Sequence, residues 1–208
     1  MRLPHVIPGK DPSHTAITER YEPPYNNPAS KVNGYYPRGV DIDRNGIVWT
    51  ALAGSAHIAS FDRSKCKVLR GPTATGQHCP EGWTLYPTPG PSFRGAEPLK
   101  TGFLYYQWVD QFNTLGLGAN IPIATGTNDE SLFALQPSTG KVTRLHVPYP
   151  MGFYHRGVDG RIDDARAGWK GRGLWANYGN YNPWHLEGGK GSTSMVVHFQ
   201  LRPDPLAK

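Results

Sequence analysis

The chain has 208 residues, and 22 Lys and Arg against 16 Asp and Glu give it a formal charge of +6. Hydrophobic content of 38% with 18% charged residues describes a folded chain rather than a disordered one. No apolar run approaches the roughly 18 residues of a membrane-spanning helix, and the opening MRLPHVIPGKDP lacks the apolar stretch of a secretory signal. The basic residues are dispersed and interleaved with acids or apolar residues, as around Lys65, Lys67 and Arg70 and around Arg161, Arg166, Lys170 and Arg172. With no nucleic-acid motif beside them, nucleic acid is not an expected partner.

In chain order, residues 1–7 read as a closing strand and residues 8–31 as a connection rich in Pro, Asn and Ser. Within it, Pro23 and Pro24 hold the chain extended, because a residue before proline is pushed out of the helical region. Alternating apolar runs then predict antiparallel strands over 39–42, 47–52 and 57–61. The Asn45-Gly46 pair between the first two is a hairpin signal, since both residues tolerate positive φ. Next comes an excursion bounded by Cys66 and Cys79, followed by a strand over 83–86. The two cysteines lie on either side of a Gly-Pro turn, which favours a disulfide over free thiols or a zinc site needing three or four ligands. A bridge would place the chain in an oxidising compartment, periplasmic or secreted.

Residues 101–112, TGFLYYQWVDQF, read as a strand pair or a strand running into a turn, with Tyr105, Tyr106, Trp108 and Phe112 expected in the core. Residues 115–120 are a loop, and 121–126, 131–136 and 141–147 form a meander. Pro137 and Gly140 supply the fixed and the positive φ of its second turn. The segment LFALQPSTGK occurs in many propellers, quinone enzymes among them, and speaks for architecture alone. Residues 194–201 alternate as a last strand.

Arg38-Gly39-Val40-Asp41, followed by a Trp49 strand, recurs as Arg156-Gly157-Val158-Asp159, followed by a Trp175 strand. Repetition of a strand-turn-strand unit at tens of residues marks a radial β-array. The unit RGVD, acidic Asn-Gly turn, IVWT, then HIASFD resembles a blade of the streptogramin B lyase (virginiamycin B lyase) type of β-propeller. The resemblance implies an all-β propeller in which residues 1–35 are the end of a preceding blade plus a Pro-rich connection, and residues 36–208 are blades. At about 40 to 50 residues per blade the chain supplies roughly three to four, an incomplete ring where the family has seven. Such a chain reads as the C-terminal portion of a longer family member. Its partners would be an upstream propeller segment or a second copy meeting its open blade faces.

For function, the resemblance implies a divalent metal such as Mg held by acidic and histidine residues, with a histidine as general base. His185 and Glu187 are the matching catalytic candidates, two apart and therefore on one side of an extended backbone. Glu187 and Asp159 are the metal candidates, and His57, His155, Arg156 and Trp184 are candidates for holding a small-molecule or polymer ligand. The order here is His-x-Glu where the family has Glu-x-His, and the Trp49 strand ends without the family's acid. His185-x-Glu187 also has the spacing of zinc deaminases, but no Pro-Cys-x-x-Cys follows it. The acidic turn at Asp159, Asp163 and Asp164 is either a calcium-binding loop or a turn that caps its own backbone. Three readings therefore stand: a binding scaffold built of blades, a metal-dependent lyase, and a quinone-dependent dehydrogenase, for which the repeated Trp strands speak but the cofactor ligands are missing.

Overall fold

A computed structural model of the chain describes residues 18–95, 102–126, 129–147, 157–160, 173–178 and 195–201. These residues form antiparallel sheets with no α-helix among them. The first sheet holds β1 (Pro37–Ile42), β2 (Val48–Leu52), β3 (His57–Phe61) and β4 (Trp83–Pro87) in sequential order. The second holds β5 (Leu104–Asp110), β6 (Ile121–Gly126), β7 (Ser131–Gln136) and β8 (Lys141–His146) in the same order. The third holds β9 (Gly157–Asp159), β10 (Leu174–Tyr178) and β11 (Met195–Phe199). Each is a meander whose first strand lies at one edge. Those edge strands are neighbours: β1 packs on β5, and β5 on β9. The result is the arrangement of propeller blades around an axis, open rather than closed among the described residues.

Two apolar layers fill the spaces between sheets. Trp49, Ala51 and Ile58 of the first sheet pack on Leu104, Val109, Ala124, Phe133 and Leu135 of the second. On the other face of the second sheet, Trp108, Ile121, Ile123 and Leu132 meet Val158, Leu174 and Ala176 of the third. Alternation along each strand sends successive side chains to these two layers, as in β5, where Trp108 and Val109 face opposite ways.

Each joint is also hydrogen-bonded. Asp41 of β1 accepts from the Val109 N–H of β5 at 2.9 Å, and Gln111 Nε2 donates to the Ile42 carbonyl at 2.6 Å. The Thr114 hydroxyl donates to the Gly160 carbonyl at 2.9 Å and ties the second sheet to the third. Unlike Gly157 of the second copy, which has no positive φ, Gly39 shows why the first copy of the motif needs its glycine. It sits at a register shift in β1 with φ +62°, and a Cβ there would lie 2.5 Å from the Gln107 backbone nitrogen. Only glycine allows β1 and β5 to come this close.

The Asn45-Gly46 turn differs from the expected two-residue hairpin. Gly46 has φ +82°, while Asn45 is not among the residues of positive φ. The difference comes from Asp43, whose Oδ1 accepts from the N–H groups of Asn45 at 2.8 Å and Ile47 at 3.0 Å. The carboxylate thereby fixes a longer turn. Asp110 does the same after β5, accepting from the N–H groups of Phe112, Thr114 and Leu115.

Three aromatics lie outside these layers, among them Tyr105 and Phe112 of the four expected in the core: Tyr105 is half-buried, with the Arg38 guanidinium 4.9 Å from its ring centre. Trp175 is 40% exposed and stacks on His198 at 4.3 Å, because it occupies the face of the third sheet opposite to Leu174 and Ala176. Phe112 is 48% exposed in the turn after β5, with the Arg44 guanidinium 5.9 Å from its ring centre. Trp108 and Tyr106 do contribute to the inter-sheet layer.

The outer face of the first sheet is covered, whereas an arc of blades was expected to leave it bare. Residues 18–35 run across it, and Leu52, Ala59 and Phe61 beneath them are buried. The Tyr21 ring lies 4.6 Å from that of Phe61.

Candidate functional site

A cleft of about 430 Å³ opens between the first and second sheets, at the ends of the strands where β1 turns into β2. Its floor is the face of the first sheet that carries Trp49, Ser60, Thr84 and Tyr86, brought into line by the registers Trp49 to Ser60 and Ser60 to Thr84. The Trp49 and Tyr86 rings are 6.0 Å apart and tilted by 31°. The rim comes from turns: Asp43 and Asn45 on one side, Asp62 and Lys65 on another, and Asn120 and Ser138 from the second sheet.

Most of the rim's charge is already engaged. Asp43 spends Oδ2 on the Trp49 indole N–H at 3.1 Å as well as Oδ1 on its turn. Asp62 accepts from the Ser64 N–H and hydroxyl, which hold its carboxyl below the usual carboxylate range, against the opposing effect of burial. The Lys65 ammonium stands 3.9 Å from the other Asp62 oxygen. Asn120 Oδ1 accepts from the Arg44 N–H at 3.1 Å, so the rim is fixed across the joint between sheets. What the cleft offers a ligand is mainly hydroxyls, amides and one half-buried phenol ring. That set suits a neutral, polyhydroxylated molecule with an apolar face better than a small ion.

The residues nominated from the sequence fall in several places. Cys66 and Cys79 form the expected disulfide, with Cα atoms 5.3 Å apart. His57 begins β3 on the covered face of the first sheet, away from the cleft floor. Burial lowers its pKa, and the nearby Ser55 backbone offsets this only in part. Asp159 lies at the end of β9 opposite Trp175, and its Oδ1 accepts from the Gly160 N–H at 2.7 Å, as a turn-capping carboxylate does. Among the described residues no group of three or more His, Cys, Asp or Glu side chains is placed to hold a metal ion. The described residues therefore do not make up the implied Mg site. His155, Arg156, Asp163, Asp164, Trp184, His185 and Glu187 lie outside the described residues.

Sequence reasoning missed the cleft. Asp43 could have been found from its place two residues before Asn45-Gly46, where a carboxylate caps a turn. Tyr86, Asn120 and Ser138 carry no local signal, because they meet only through the packing of two sheets.

No family model matches the chain, and no curated protein matches it. Solved structures do. One described as a streptogramin B lyase structure is 14% identical with a TM-score of 0.46, covering 89% of this chain and 44% of its own. A virginiamycin B lyase from Staphylococcus aureus is 15% identical with the same TM-score, covering 89% and 45%. A catalytically inactive virginiamycin B lyase from the same organism with quinupristin is 16% identical with a TM-score of 0.44, covering 81% and 42%. The chain thus spans less than half the length of these structures. The propeller assignment rests on the edge strands β1, β5 and β9 lying side by side, and the likeness transfers no chemistry.

Proposed function

We propose that the chain is the blade region of a secreted or periplasmic propeller scaffold that binds a small neutral polar ligand, of the saccharide class, in the cleft between its first two sheets. The observation that supports this reading is the 430 Å³ cleft, floored by Tyr86 and Trp49 and rimmed by Asn45, Ser138 and the Asn120 amide that the Arg44 N–H holds. That volume falls within the roughly 300 to 1,000 Å³ of small-molecule sites. The disulfide supports an oxidising compartment, and no helix among the described residues is long and apolar enough to cross a membrane. Titration with a panel of neutral mono- and oligosaccharides, followed by tryptophan fluorescence, tests it. A saturable change that Tyr86→Ala weakens at least tenfold supports the proposal, and no saturable change with any member of the panel overturns it.

The second reading is the metal-dependent lyase, favoured by His185 and Glu187 standing two apart after the Trp175 strand. In it, His185 is the base and Glu187 a ligand to Mg. Metal content of the purified chain separates the readings: stoichiometric divalent metal lost in Glu187→Gln favours the lyase, and none bound at millimolar Mg removes it.

A further inference from the structure

Residues 18–35 cover the face of the first sheet that a neighbouring blade would otherwise cover. Gly34 shows how close they lie, since a Cβ there would sit 2.6 Å from Leu52 and 2.7 Å from Leu85. Beyond this direct packing, the attachments of residues 19–27 converge on one place. Glu19 accepts two bonds from the Arg63 guanidinium, both at 2.6 Å. The Glu22 N–H donates to the Gly76 carbonyl at 2.9 Å. Tyr25 exchanges two bonds with the Gln77 side chain, and Asn27 Nδ2 donates to the Gln77 carbonyl at 3.1 Å. The Tyr21 ring lies 5.2 Å from that of His78. Gly76, Gln77 and His78 all lie inside the loop closed by the disulfide, and Arg63 lies just before it.

We infer that residues 18–35 form a redox-latched strap: the Cys66–Cys79 disulfide holds the loop that holds the strap, and reducing it uncovers the apolar face of the first sheet. The loop itself is weakly built. Gly71, Pro72 and Thr73 are exposed, and its internal backbone bonds are two short turns, Ala74 to Gly71 and Thr75 to Thr73. Its position depends on the covalent closure, which restricts the chain between Cys66 and Cys79. In the opening step a dithiol supplies two electrons, the S–S bond takes them up with two protons to give two thiols, and the dithiol leaves as a cyclic disulfide. The second sheet shares no hydrogen bond with the loop among the bonds above, so it keeps its structure while the strap leaves.

Hydrogen exchange of the full chain, oxidised and after dithiol reduction with alkylation, tests the latch. The expected result is exchange at least tenfold faster across residues 18–35, unchanged protection in β6, β7 and β8, and binding of a hydrophobic dye. Cys66→Ser with Cys79→Ser reproduces this state without reductant. Glu19→Gln, with the bridge intact, produces a smaller rise confined to the strap. Equal strap protection in both redox forms overturns the inference. So does simultaneous loss of protection in the strap and the second sheet, because the bridge would then hold the whole fold and not a latch.

Discussion

Trp49 and Trp175 occupy matching places, each paired across its sheet with the Asp of an Arg-Gly-Val-Asp motif, Asp41 and Asp159. Their surroundings differ. Trp49 is 3% exposed, lies in the layer between sheets and donates its indole N–H to Asp43, while Trp175 is 40% exposed. Trp49→Ala is therefore expected to cost about 3 to 5 kcal/mol and Trp175→Ala under about 1 kcal/mol, read from urea unfolding. Equal costs would show that the third sheet's outer face is buried in solution. Gly39→Ala is expected to cost about 1 to 3 kcal/mol, since the added methyl meets the β5 backbone at a positive φ. At this scale the sequence announces type and not environment. The repeated motif identifies equivalent positions, but burial depends on whether another sheet lies alongside, and no residue within the motif records that.

Strands were largely legible because their signal is local. Alternation and turn chemistry place β2, β3, β6 and β7 within a residue of their observed bounds. The cover of residues 18–35 was illegible for the opposite reason. It has no periodicity, and its partners lie about fifty residues away, Arg63 just before the disulfide-closed loop and Gly76 and Gln77 within it. Two titrations report on this element. The Arg63 guanidinium holds the Glu19 carboxyl down at about 2, from an ordinary value of 4.5. A depressed carboxyl stabilises the fold fully above pH 4.5 and loses that contribution as pH falls through about 2. Because Arg63 is partly exposed, salt weakens the effect. His57 is also depressed, so the neutral imidazole is favoured in the fold. Its contribution is complete above the ordinary 6.5 and is lost as pH falls below it. Thermal melts from pH 8 to 2.5 are expected to decline in two stages, with Glu19→Gln flattening the acid stage and His57→Asn the one below 6.5. A decline unaltered by either variant would assign the acid sensitivity to other groups.

For the molecule as a whole, the inner edges of β1, β5 and β9 set the architecture, and the joints between sheets determine where a ligand has room. The cover over the first sheet gives the arc a polarity. One flank is shielded by residues 18–35, while the other displays Trp175 and Val196, 40% and 66% exposed. If the exposed flank among the described residues is the one through which copies associate, two can meet flank to flank and neither then offers a surface for a third. Sedimentation of the oxidised chain across a wide concentration range is accordingly expected to show nothing larger than a pair, and species growing without limit would show that the covered flank is adhesive too. Reduction would restore the second flank, turning a self-limiting particle into one able to polymerise. Cystine chemistry in a loop that begins beside Lys65 on the cleft's rim would thus set the ceiling on particle size.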